Sequence, residues 1–259
     1  MIKLFRNIRK NLLSEGKTTK YFKYAIGEIV LVVIGILLAL SINDWNSQRQ
    51  LKKSNNVFLN KMLKDLDANE KRLGRIVYDS LNDSSYPSLE EAVEVSDSII
   101  KLTYLGLNES HLDYITSAPF SAGGSLLNLN DNTYSELSNT GKLYSLGSDT
   151  LVEAITAYYK RGERESFYNV QNSKDVKDGF IKFEDGFGKL MMDYNRDSLN
   201  FNLNNYPFYT NKNSKEYNDY QIGMDLVVGG QKQNMGKMKH VIIETKKLKE
   251  FIKTELQHD

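Results

Sequence analysis

This chain of 259 residues has three histidines, no cysteine and 33 carboxylate side chains, and these set the chemistry it could hold. Without cysteine there can be no disulfide, thiolate-ligated zinc, iron–sulfur cluster or thiol nucleophile. His240 and Glu244 stand four residues apart and share one face of a helix, so they could offer two metal ligands. A zinc site needs three or four, and a solvated surface pair accounts for the two far better. His111 lies near Glu109 and Asp113 in an irregular stretch, without a further partner. No serine or threonine has an identifiable base and orienting group. Gly16-Lys17-Thr18 ends like a phosphate-binding loop, but Asn11 stands where that motif requires its first glycine, and no strand precedes it. In "GGQKQNMGKM" the glycine spacing is wrong and Met238 replaces the hydroxyl. Asn128, Asn130 and Asn132 in "NLNDNTYSELSN" resemble a calcium loop, yet the central glycine is missing and Asn139 replaces the bidentate glutamate. No catalytic residue, cofactor site or metal site is therefore assigned, and a non-enzymatic role is expected.

The element most clearly written in the sequence is "YAIGEIVLVVIGILLALSINDW". From Ala25 to Ile42 it provides 18 residues, or about 27 Å of helix, close to the ~30 Å of a bilayer's hydrocarbon core. Its flanks separate a span from a core helix. Lys17, Lys20 and Lys23 precede it, with Tyr21, Phe22 and Tyr24 between them, and Asn43, Asp44 and Trp45 follow. Aromatic residues at both ends and lysines on one side suit two headgroup layers, with Trp45 as an interfacial anchor. The long leading segment and the poor cleavage site at Ala39-Leu40-Ser41 argue for an uncleaved signal-anchor rather than a removed signal peptide. Residues 1–23 carry seven basic side chains and one acid, leaving 27 basic and 32 acidic residues in the remainder. The excess of positive charge places the N-terminus in the cytoplasm and everything from about residue 43 outside. A basic head on a mildly acidic body does not fit nucleic-acid binding.

Within the span, Tyr24, Glu28, Leu31, Gly35, Ala39 and Ile42 fall on one stripe. Gly35 and Ala39 form a small-xxx-small pair that would let a second helix approach. Glu28 shares that face. It sits either in a helix–helix contact, held by the Tyr24 hydroxyl or a lysine, or close enough to the interface to snorkel to headgroups. Residues 1–13 place Ile2, Phe5, Ile8, Leu12 and Leu13 at helical spacing among basic residues, as in an amphipathic helix on an anionic leaflet or a simple basic topogenic segment.

"SEGKTTKYFKYAIGEIVLVVIGILLALSINDWN" resembles the amino-terminal signature of an uncharacterised family of single-span membrane proteins found mostly in flavobacteria and their relatives. Gly16, Lys17, Tyr21, Tyr24, Gly27, Glu28, Gly35, Asn43, Trp45 and Asn46 carry the resemblance. A looser likeness covers 133–159, through Thr133, Tyr134, Leu137, Gly141, Leu151, Ile155, Tyr158 and Tyr159. The resemblance implies a topology and an inner-membrane location, and no chemistry.

The remainder reads as helices. Leu59, Met62, Leu63, Leu66, Leu73, Ile76 and Val77 keep three- and four-residue spacing over 46–81. A turn at 80–88 with Pro87 leads to a helix over 88–106, ending near Gly106, and a loop over 108–132 containing Pro119, Gly123 and Gly124. Thr133-Tyr-Ser-Glu136 and Thr150-Leu-Val-Glu153 predict capping boxes, the first for a short helix closed by Gly141. The second opens a long helix with Leu151, Ile155, Tyr158 and Tyr159 inward. A further helix over 174–196 is weakened by Gly179, Gly186 and Gly188. Residues 197–236 read as an irregular Asn/Tyr-rich excursion, with a short strand signal at 199–204, before a last helix over about 236–257. In that excursion Phe201, Tyr206, Phe208, Tyr209, Tyr217 and Tyr220 offer a recognition surface, unless they pack onto the bundle.

The expected fold is all-α: a basic segment over 1–23, a transmembrane helix over 24–42, and an antiparallel helical bundle over 43–259 whose first helix continues the span. The expected location is a bacterial inner membrane, with the bundle in the periplasm. Expected partners are membrane lipid and a second copy or another protein, met through the span or the bundle; no ligand is specified. The alternatives are a membrane-anchored enzyme with a carboxylate-based site and a structural subunit of an envelope complex.

Overall fold

The computed structural model describes residues 18–79, 87–118 and 126–258. The amphipathic segment at 1–13, the turn residues 80–86, and Pro119, Gly123 and Gly124 lie outside these. The described chain is helical, with no strand among the described residues, and separates into two units, Met1–Val57 and Phe58–Asp259. Helix α1 covers Thr18–Val77 and contributes to both.

In the first unit α1 carries a window long and apolar enough to cross a membrane, and none of that window is buried. Ile29, Leu38 and Ile42 are each about three-fifths exposed. Each such side chain would gain about 1.5–3 kcal/mol on leaving water. Ser41, the polar residue in the run, donates its hydroxyl to the Leu37 carbonyl at 2.9 Å and so needs no solvent.

In the second unit, α2 (Leu89–Leu105) opens on a capping box, with the Glu91 amide donating to Ser88 Oγ and the Ser88 amide to Glu91 Oε2. It stops at Gly106, where φ is 113°. Short α3 (Leu112–Ser117) and α4 (Asn132–Asn139) precede the long α5 (Asp149–Lys182). A π-turn at Glu184–Gly188 joins α5 to α6 (Lys189–Arg196), and α7 (Lys215–His258) closes the chain.

Helix α7 is the central post. It runs antiparallel to α5, as successive contacts show: Gly223 on Gly179, Lys237 with Glu165 at 2.8 Å, Tyr158 Oη with Thr245 Oγ1 at 2.9 Å, and Glu255 accepting from the Ser148 amide at 3.0 Å. It is also antiparallel to α2, through Lys239–Glu90, Lys232–Asp97 and Gln221–Thr103. Lys249 ties it to Asp67 and Glu70 on α1. One core gathers Leu59, Met62, Leu66, Leu73 and Val77 of α1 against Leu151, Ile155, Tyr158, Tyr159, Met238, Val241 and Ile252. A second holds Ile99, Ile115, Phe183, Phe187, Leu190, Tyr209, Tyr217, Tyr220 and Met224. At an intermediate level lie buried Ser96, Asn172, Gln231 and Asn234, with Asn172 Nδ2 donating to Asn234 Oδ1 at 2.9 Å. Such a polar layer favours one register between the helices.

Six expectations change. The 108–132 loop contains a 3₁₀ turn at Glu109–His111 and α3. Thr133 does not cap α4: its amide and hydroxyl both donate to Asp65 on α1, at 3.0 and 2.6 Å, so a carboxylate from another helix caps it. The long helix starts two residues early, with Ser148 as N-cap accepting from the Leu151 amide. It runs unbroken to Lys182, absorbing the first part of the helix expected over 174–196. The last helix begins at Lys215, 21 residues before the expected start near 236, and the strand signal becomes a 3₁₀ turn at Leu203–Asn205. Gly179, expected to weaken its helix, instead serves close packing, as do Gly223 and Gly230. A Cβ on Gly223 would stand 2.4 Å from the Gly179 carbonyl, and one on Gly230 would stand 2.7 Å from the Asn172 carbonyl.

Candidate functional site

The residues singled out in the apolar run of α1 lie open. Tyr24 and Trp45 are more than half exposed, Gly35 and Ala39 are exposed, and a Cβ on Gly35 would meet nothing within 4 Å. Glu28 is half-buried among its helical neighbours. Arg49 lies over the Trp45 ring, 5.7 Å from its centroid, placing a cation and an indole together just beyond the apolar run.

The aromatic recognition surface is corrected. Tyr209, Tyr217 and Tyr220 are completely buried. Phe187 stacks on Tyr220 with ring centroids 3.9 Å apart, and the Tyr217 hydroxyl donates to the Thr103 carbonyl at 2.7 Å. Phe201, Tyr206 and Phe208 pack against the same core, and the Tyr206 hydroxyl donates to Asp193 at 2.5 Å. Seven apolar rings can lower their free energy more by covering one another than by facing water. Burial raises the pKa of Tyr209, Tyr217 and Tyr220, so these phenols stay neutral.

The polar clusters that resembled chemistry have structural duties. Asn130 donates to Asp65 at 3.0 Å and accepts from the Asn132 amide at 3.3 Å. Its backbone is held by Asn69, while Arg72 takes the Asn128 and Leu126 carbonyls. His111 Nδ1 accepts from the Asn108 amide at 3.3 Å. His240 reaches Glu244 only at 3.9 Å. Among the described residues no three metal-ligating side chains converge.

A cleft of about 440 Å³ lies between α5 and α7. From α5 come Ala154, Ala157, Tyr158, Lys160, Arg161 and Arg164, and from α7 come Glu244, Lys247, Leu248 and Phe251. Four cations thus face one carboxylate. Lys247 donates to Glu244 at 3.0 Å and, more than any other neighbour, holds that carboxyl below its usual range. Arg161 Nε is buried without a hydrogen-bond acceptor, 3.9 Å from Glu165, whose carboxylate is taken chiefly by Lys237. A buried donor left unpaired costs about 1–3 kcal/mol, and more when charged. The floor is apolar: Leu248 and Tyr158 are buried, and the Tyr158 hydroxyl is committed to Thr245.

The sequence carried a trace of this cleft in "AITAYYKRGER". There Ala154 and Ala157 interrupt the large side chains on α5, and Lys160, Arg161 and Arg164 follow at helical spacing. The facing half comes from α7, more than 80 residues later in the chain.

No curated protein and no solved structure shows a match to this chain. Over residues 28–186, more than half its length, it matches the sequence model of a family of unknown function, DUF6090. That segment opens at Glu28 in the apolar run and closes in the π-turn after α5, leaving α7 outside it. With its helical architecture and apolar N-terminal helix, the chain belongs to the DUF6090 family of unknown function.

Proposed function

We propose that the protein is a single-span membrane protein of a bacterial inner membrane. Its N-terminus is cytoplasmic, and its helical bundle acts outside the membrane as a binding module for a partner protein or a small ligand. The observation that carries this reading is the apolar window of α1, of which no part is buried although it holds more than ten large aliphatic side chains. Water is a poor solvent for such a surface, and lipid a good one. The orientation follows from the seven basic residues in 1–23, against Arg49, Lys52 and Lys53 just after the run. Gly35 and Ala39, on the face that carries Glu28, suit a second span at close range, so a homo-oligomer through the membrane belongs to the same proposal. The test is a pair of fusions at the C-terminus in a bacterial host. Alkaline phosphatase, active only outside the cytoplasm, is expected to be active, and β-galactosidase inactive. The reverse pattern overturns the proposal.

A further inference from the structure

We propose that the α5–α7 cleft binds a small organic anion, a carboxylate or phosphate group carried on an apolar body. This deepens the binding role proposed above and rests on it. Charge is the first argument. On its other faces α7 sends Lys232 to Asp97, Lys237 to Glu165, Lys239 to Glu90, and Lys249 to Asp67 and Glu70 on neighbouring helices, while Lys215 and Lys253 pair with Asp219 and Glu250 on α7 itself. In the cleft Lys247 finds only Glu244, three residues away on its own helix. Arg164 reaches Glu165 Oε1 at a long 3.4 Å, with Lys237 on Oε2 at 2.8 Å, so two cations share that one carboxylate. Arg161 Nε is buried, 3.9 Å from Glu165 and without a hydrogen-bond acceptor among the described residues, while the rest of its side chain is partly exposed. A guanidinium is a planar fork of donors, suited to the two oxygens of a carboxylate or phosphate. A second anion in the cleft would pair with the exposed part of that guanidinium.

The apolar floor is the second argument. Beneath the cations lie Leu248, the Tyr158 ring and Phe251, and small Ala154 and Ala157 keep the space above them open. A bare inorganic ion would leave that surface wet, whereas an anion with an attached hydrocarbon or aromatic body covers it. The cleft's volume of about 440 Å³ falls in the range of small-molecule sites, roughly 300–1,000 Å³.

The test uses the full-length chain in phosphatidylcholine nanodiscs, with empty nanodiscs as the blank. Binding of 4-phenylbutyrate is measured by titration calorimetry and by saturation-transfer NMR. Saturable binding is expected, at least tenfold tighter than that of 4-phenylbutanol, which lacks the charge, or of inorganic phosphate, which lacks the body. Arg161→Gln with Lys247→Gln is expected to weaken it at least tenfold, and Ala157→Trp, at an exposed position, to abolish it by filling the cleft. Circular dichroism checks that each variant is folded; should the double variant unfold, Lys160→Gln, at an exposed position, supplies the charge test with a smaller loss. No saturable binding to the wild type overturns the proposal. So does binding that folded variants leave unchanged, or phosphate bound as tightly as phenylbutyrate. These readouts do not depend on membrane orientation, so this proposal and the topology can fail separately.

Discussion

Gly229 and Gly230 are adjacent in the same helix, and alanine at the two positions should act with opposite sign. At Gly229 a Cβ would meet nothing within 4 Å. Alanine there adds helix propensity and narrows the unfolded ensemble, which together favour folding by about 0.5–1 kcal/mol. At Gly230 a Cβ would stand 2.6 Å from Val176 Cγ2 and 2.7 Å from the Asn172 carbonyl oxygen. The side chain could turn aside, but the carbonyl cannot without moving α5. Relief to ordinary contact needs a shift of about 0.7 Å between two packed helices, and overpacking of this kind costs about 1–3 kcal/mol, more when backbone must move. After the propensity gain, Gly230→Ala should destabilise by about 1–2 kcal/mol. For a unit of this size each kcal/mol moves Tm by about 2–4 °C. Thermal melts of the full-length protein in mild detergent, followed by circular dichroism, should therefore show Gly229→Ala raised by a few degrees and Gly230→Ala lowered by a few. Gly223→Ala, facing the Gly179 carbonyl at 2.4 Å, should follow Gly230→Ala. Equal shifts at 229 and 230, or a Gly230→Ala variant more stable than wild type, would refute close α5–α7 packing as the reason for these glycines.

Two buried tyrosines give a second paired test. Tyr217→Phe removes the donor to the Thr103 carbonyl and the acceptor for the Leu107 amide, and should cost about 1–3 kcal/mol, whereas Tyr220→Phe removes a buried hydroxyl with no partner and should be neutral or stabilising in the same melts. Asp65→Ala removes the cap on the Thr133 amide, so native-state hydrogen exchange should show that amide losing protection well before those of α5. Glu165 supplies a pH test: Lys237 first, and Arg164 after it, hold its folded-state carboxyl below the ordinary value of about 4.3. Its stabilisation is complete above the ordinary value and is lost as pH falls through the lowered one, so Glu165→Gln should melt below wild type at pH 7 by about 1 kcal/mol's worth, with the gap closing toward pH 3. A gap that widens in acid contradicts this sign.

What the sequence disclosed follows the range of the interaction. The apolar run, the α1 periodicity and the inward face of α5 depend on residues three or four apart, and each reads locally. The caps do not. Thr133 and Thr150 both head plausible boxes, but Asp65, 68 residues away, takes Thr133, and Ser148, anchored by Glu255, starts α5 two residues earlier. The first half of α7 was hidden for the same reason. Its Asn- and Tyr-rich lead-in reads as irregular when viewed alone, and the close approach of Gly223 to Gly179 and of Gly230 to Asn172 shows only once α5 is packed against it. Tyr209, Tyr217 and Tyr220 have the composition of a binding surface, and only the neighbouring Phe183 and Phe187 rings make them a core. The cleft needed both helices, so half of it was invisible from either one.

The central claim is that lipid surrounds the apolar part of α1 and that the bundle lies on the far side from the N-terminus. Because the chain has no cysteine, one introduced thiol at a time reports position cleanly. With Ser198→Cys or Ser14→Cys in a bacterial host, intact spheroplasts are treated with a membrane-impermeant maleimide, and the membranes are then washed with alkaline carbonate. The account predicts that both proteins stay with the membrane, that Ser198→Cys is labelled in intact spheroplasts, and that Ser14→Cys is labelled only after lysis. Release of the full-length chain into the carbonate supernatant, or labelling of Ser14→Cys alone before lysis, would contradict it.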